Sequence, residues 1–117
     1  GNTADKAMLA LGDIPDAVKK APLSADELEK EIQKQGQAVD MTGCTLSQIL
    51  YQTGAQRPVI VKGEGGASKA IVGFDGYNTY LYDPSSQTTA PMGMNDSTKV
   101  FEENGNVFIC YMEKINE

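Results

Sequence analysis

Cys44 stands one residue before Thr45-Leu46-Ser47-Gln48, a capping-box sequence that opens a helix. A thiol at a helix N-terminus is the arrangement that makes a nucleophile, because the helix dipole favours the thiolate. Such a nucleophile needs a partner that moves protons near neutral pH, and the chain contains no histidine. Cys44 also fits as the apolar residue of a hydrophobic staple with Ile49, and that is the reading adopted here, since buried cysteine behaves as a small hydrophobe. Cys110, inside Val107-Phe108-Ile109-Cys110-Tyr111, reads as core. Two cysteines fit neither a disulfide-dense scaffold nor a paired-cysteine zinc site, and spacing leaves a single bridge between them open.

The carboxylates are the next candidates. Asp75, Asp83, Asp96, Glu102 and Glu103 carry the oxygens a calcium ion takes, but their spacing matches no EF-hand loop. Separate acids near turns cap backbone N–H groups, so neither metal nor cofactor is expected. Glu64-Gly65-Gly66 lacks the Gly-Lys-Ser/Thr ending of a phosphate loop and does not lead into a helix. Lys69 would serve as a base only if desolvated; a solvated lysine at a strand start is the plainer reading. A net charge of −6 argues against nucleic acid and against an anionic membrane surface as partners. No apolar run approaches the roughly 20 residues of a membrane helix, so no membrane insertion is expected.

The elements that must position these groups follow from local signals. Helix formers over 3–11, with Gly12 after them, predict a first helix, and Pro15 suits the start of a short helical turn. Ser24-Ala25-Asp26-Glu27 is a capping box with Leu23 and Leu28 as its staple, predicting a helix over 24–36. The box at Thr45 predicts another over 45–53. After Arg57 the residues become β-branched, and strands are predicted over 58–62, 69–74, 78–82 and 106–112. Asp75-Gly76 supplies residues that tolerate positive φ in a tight hairpin turn. Residues 85–90 read as a polar loop, and Asn95-Asp96 as the cap of a helical turn carrying Val100 and Phe101. Helices first and antiparallel strands second is the α+β order. The length suits one domain, 1–117, expected to be cut from a longer protein.

In this order the pieces resemble the papain-like cysteine peptidase superfamily, specifically the branch of bacteriocin-leader-processing peptidases and their degenerate relatives in Gram-positive bacteria. The segments that carry the likeness are Arg57-Pro58-Val59-Ile60-Val61, Ile71-Val72-Gly73-Phe74-Asp75 and Tyr80-Leu81-Tyr82-Asp83-Pro84, with 101–111 similar to closing segments of degenerate members. The resemblance implies a papain-like fold with N-terminal helices packed against a C-terminal antiparallel sheet. It implies an orienting acid at Asp83. It places the histidine of active members among Ala67, Ser68 and Lys69, none of which is an imidazole, and the nucleophilic cysteine at about Gly1 or before it.

The expected function is therefore that of a non-catalytic pseudo-peptidase domain, a binding or structural module in a secreted or surface protein of the cell envelope. Its expected partners are a peptide, a cell-wall fragment or neighbouring domains of the parent protein. The alternative is a cysteine peptidase whose nucleophile lies upstream of residue 1 or whose histidine comes from another domain or chain. A third reading is a pure interaction module that binds no peptide.

Overall fold

A computed structural model describes residues 7–8, 26–27, 30, 33, 37–55 and 57–112. Its centre is an antiparallel sheet of strands β1 (Ala7–Met8), β2 (Gln37–Asp40), β3 (Val59–Lys62), β4 (Ser68–Phe74), β5 (Asn78–Asp83), β6 (Thr88–Gly93) and β7 (Phe108–Met112). Six of them lie in the order β2-β7-β3-β4-β5-β6, and β1 pairs with the far end of β4. Helices α1 (Leu46–Gly54) and α2 (Met94–Glu103) pack against the sheet, and a 3₁₀ turn, Glu64–Gly66, joins β3 to β4. Among the described residues no helix is long and apolar enough to cross a membrane.

Both helices pack on the same face of the sheet. Ile49 of α1 and Phe101 of α2 join Val59, Val61, Ile71 and Leu81 there, and Phe101 meets Phe108 edge to face with ring centroids 5.7 Å apart. The alternate strand positions turn the other way, where Ile60, Ala70, Val72, Tyr82 and Ile109 form a second buried cluster. Burial on both faces explains why Val59-Ile60-Val61 is an unbroken apolar run instead of an alternating one.

Local chemistry starts α1 as its sequence predicts. The Gln48 N–H donates to the Thr45 hydroxyl at 3.3 Å, and the Thr45 N–H donates to the Gln48 side chain at 2.8 Å, so both halves of the capping box are made. The expected strands agree with β3, β4, β5 and β7 to within two residues. Of the helix predicted over 24–36, Asp26, Glu27, Lys30 and Gln33 are helical and exposed; the Ser24 cap, the Leu23–Leu28 staple and the Pro15 turn lie outside the described residues.

Four expectations are corrected. Ala7 and Met8 are not helical: they pair with Phe74 and Gly73. The β3 row begins at Val59 opposite Ile71, so the last residues of β4 lack a partner on that side until β1 supplies one. Satisfying those backbone groups outweighs a helix preference of a few tenths of a kcal/mol per residue. Residues 85–90 are not all loop, because β6 begins at Thr88 and pairs with β5 along its length. Helix α2 starts at Met94 after Gly93, without a side-chain cap, and the Met94 N–H is taken by the Tyr77 carbonyl at 2.8 Å. Finally, neither Asp75 nor Gly76 has positive φ. The β4–β5 turn is instead held by the Asp75 carboxylate, which accepts from the Tyr77 and Asn78 N–H groups at 2.8 and 2.9 Å and from the Tyr80 hydroxyl at 2.6 Å. That last bond pushes the Tyr80 phenol above its ordinary range, since the neighbouring carboxylate disfavours a second negative charge.

Candidate functional site

Strand register brings two of the sequence candidates together. Ile71 and Leu81 are paired across β4 and β5 and share the helix-covered face, so Lys69 and Asp83, two residues along each strand, point to that face as well. The Lys69 Nζ lies 3.4 Å from Asp83 Oδ2, with the side chains 24% and 32% exposed. Asp83 Oδ1 accepts from the Ser85 N–H at 2.9 Å, and the Asp83 carbonyl accepts from the Gln87 N–H at 2.7 Å. The carboxylate therefore fastens the turn into β6 and pairs with a cation at once. Burial pushes the Asp83 carboxyl up, but the Ser85 N–H, the Lys69 charge and the Ser86 hydroxyl outweigh it, and the group titrates below its usual range.

The three positions assigned to the missing histidine diverge. Ala67 is exposed, with its backbone engaged by Gly63 and Glu64 in the turn before β4. Ser68 faces the opposite side of the sheet, and its buried hydroxyl has no hydrogen-bond partner among the described residues. Lys69 alone meets the acid.

The cysteines stand apart from this pair. Cys44 is half-buried and packs with Leu46 against the cluster that contains Ile49, the staple arrangement. Cys110 is fully buried in the same core, with its Sγ 3.9 Å from Gln52 Oε1. Burial pushes its thiol up to about 11, opposed only in part by the Arg57 charge, and neither cysteine is bridged. The remaining acids do not meet Asp83: Asp75 holds its turn, Asp96 lies in the first turn of α2, and Glu102 and Glu103 lie exposed in the last. Among the described residues no three metal-ligating side chains gather. Glu64-Gly65-Gly66 forms a single 3₁₀ turn, with Gly65 and Gly66 at φ 69° and 79°.

Two adjoining cavities open beside the ion pair. One, about 150 Å³, lies between Glu64, Lys69, Asp83, Thr88 and Met92. The other, about 510 Å³, shares Glu64, Pro91 and Met92 with it and is walled by Asp96, Lys99 and Glu103 of α2. The sequence reading misses this cleft because β6 is absent from it. The available signal is the Thr88-Thr89 step after a turn of Pro84, Ser85, Ser86 and Gln87, which is strand chemistry behind turn chemistry. A separate apolar groove of about 490 Å³ runs between Leu50, Tyr51, Gly54 and Phe74.

No protein-family model matches the chain, and no curated protein matches it. Among solved structures it is similar to a crystallised Bacillus anthracis protein described as a C39-like peptidase, with a TM-score of 0.63 and 16% sequence identity. The likeness covers 80% of this chain, and the chain spans 61% of the length of that protein. At that identity the likeness is one of fold: the α+β arrangement described above, with its antiparallel sheet, is similar to the fold of that C39-like peptidase.

Proposed function

We propose that this chain is a binding module on a papain-like scaffold and does not hydrolyse peptide bonds. The observation that supports this reading is the ion pair of Lys69 with Asp83, two of the positions to which the resemblance assigns the histidine and its orienting acid. An ammonium that donates to a carboxylate offers no lone pair to a reacting proton, and no histidine exists elsewhere in the sequence to take its place. The C39-like fold makes a peptide the first ligand class to test, and the parent is proposed to be a secreted or surface-anchored protein of a Gram-positive bacterium. The rival reading, a peptidase completed by a cysteine or histidine from outside this sequence, draws on the retained position of Asp83.

The test is incubation of the purified chain with double-glycine and generic peptide substrates under reducing conditions, followed by mass spectrometry. Intact substrates are expected. Thiol-dependent cleavage that disappears in Cys44→Ser would refute the non-hydrolytic reading.

A further inference from the structure

We infer that the outer edge of β6 and the cleft beside it receive an extended basic peptide. This deepens the binding-module reading and rests on it. β6 is the last strand of the sheet, and Thr88, Thr89, Ala90 and Pro91 are exposed. Pro91 stands opposite Tyr80 and has no N–H, so the hydrogen-bonded pairs of this ladder are the flanking ones, Leu81 with Ala90 and Thr79 with Met92. The backbone groups of Thr89 and Pro91 consequently point away from β5. The edge presents the Thr89 N–H and two carbonyls, those of Thr89 and Pro91. A second copy of β6 would bring its own proline to this short edge and lose a donor again, which disfavours self-pairing and selects a different strand.

Charge decides which strand. The cleft is lined by Asp96, Lys99 and Glu103 of α2 and by Glu64 of the turn before β4. Lys69 is already engaged by Asp83, while Glu64, Asp96 and Glu103 form no ion pair among the described residues. Three carboxylates and one lysine therefore line the cleft together with Pro91, Met92 and Val100. An arginine or lysine side chain matches both parts, its methylene stem on Met92 and Val100 and its charged head among the acids. The net charge of −6 adds a long-range attraction for the same class of ligand.

The experiment titrates the isotope-labelled chain with an acetylated, amidated peptide of alternating arginine and valine, and with its glutamate–valine counterpart, by NMR and fluorescence anisotropy. The basic peptide is expected to bind and to shift the amides of Thr89, Glu64 to Gly66 and α2. Its affinity should fall about fivefold between about 50 and 300 mM salt, and about tenfold in a Glu64→Gln, Asp96→Asn, Glu103→Gln variant. Thr89→Pro, which removes the outward N–H at an edge position, should weaken binding about fivefold, with Thr89→Ala, which keeps that N–H, binding like the parent. Should the triple variant fail to fold, Glu103→Gln alone, at an exposed helix end, must still weaken binding. Equal binding of both peptides, no binding of either, or shifts confined to the Leu50–Tyr51 groove would overturn the inference while leaving the non-hydrolytic reading in place; thiol-dependent cleavage of either peptide would instead overturn that reading.

Discussion

Replacing Asp83 with alanine removes an acceptor from the Ser85 N–H, 2.9 Å away, and a charge from Lys69, 3.4 Å away. The freed N–H sits on an exposed turn where water can reach it, so the first loss is the net value of a charge-assisted hydrogen bond, about 1 kcal/mol, and not the penalty of a buried orphan. The second is a partly exposed ion pair, worth about 0.5 kcal/mol. Asp83→Ala should therefore cost about 1.5 kcal/mol. Asp83→Asn keeps an oxygen for Ser85 and loses only the charge, so it should cost about 0.5 kcal/mol, as should Lys69→Met. A double-mutant cycle on Asp83→Asn and Lys69→Met should return a coupling of about 0.5 kcal/mol.

Urea unfolding at neutral pH measures the parent and the four variants, and acid titration adds an independent check. The folded-state pKa of Asp83 lies below its unfolded value. Its stabilisation is thus present above pH about 4 and is lost as pH falls through the lower folded value. The gap between the parent and Asp83→Asn should close in acid. Equal losses in Asp83→Asn and Asp83→Ala would refute the assignment of the Ser85 bond, and a gap that does not narrow as pH falls below about 4 would refute the charge.

Three further outcomes follow from local geometry. Iodoacetamide at pH about 8 should label Cys44 in the native chain and reach Cys110 only on unfolding, because burial raises the Cys110 thiol to about 11; equal rates would refute its burial. Since that value lies above the unfolded one, its stabilisation holds below pH about 9 and is lost as pH rises toward the folded value, which alkaline unfolding measures. Thr45→Ala should cost about 1 kcal/mol and Thr45→Ser very little, read as shifts in thermal midpoint, because serine preserves the hydroxyl that caps α1. Gln87→Gly should raise stability by about 0.5–1 kcal/mol, since Gln87 holds φ at 59° and glycine adopts that conformation without steric cost; a lower urea midpoint would count against it.

The parts of the fold legible in the sequence are those whose cause is local. The Thr45–Gln48 box carries its own hydrogen bonds, and Val59-Ile60-Val61 carries its own β preference. The misread parts take their structure from a neighbour. Ala7 and Met8 are extended because β3 stops short beside β4, which no property of those two residues announces. β6 contains a proline and is a strand because β5 lies along one side of it, with the proline nitrogen turned outward. At Asp75 the residue is identified and the cause is not: its carboxylate, and no positive φ, makes the turn. The site follows the same division. The Tyr80–Pro84 segment singles out Asp83, but Ala67, Ser68 and Lys69 are consecutive, and only the register of β4 against β5 decides which of them meets it.

That register also links the proposed loss of chemistry to the proposed binding surface. An imidazole beside Asp83 would be neutral for much of the time near pH 7 and able to exchange a proton, leaving the acid to orient it. A lysine at the same place spends its charge on the carboxylate. The ion pair joins the start of β4 to the end of β5, and the Ser85 bond on the other carboxylate oxygen sets the course of the chain into β6. With Lys69 so engaged, the field in the adjoining cleft is left to Glu64, Asp96 and Glu103 against Lys99 alone. On the proposed reading, an ammonium beside Asp83 leaves the site without a proton-transfer group, while the Ser85 bond on the other carboxylate oxygen directs the chain into β6, the edge that a basic peptide would meet.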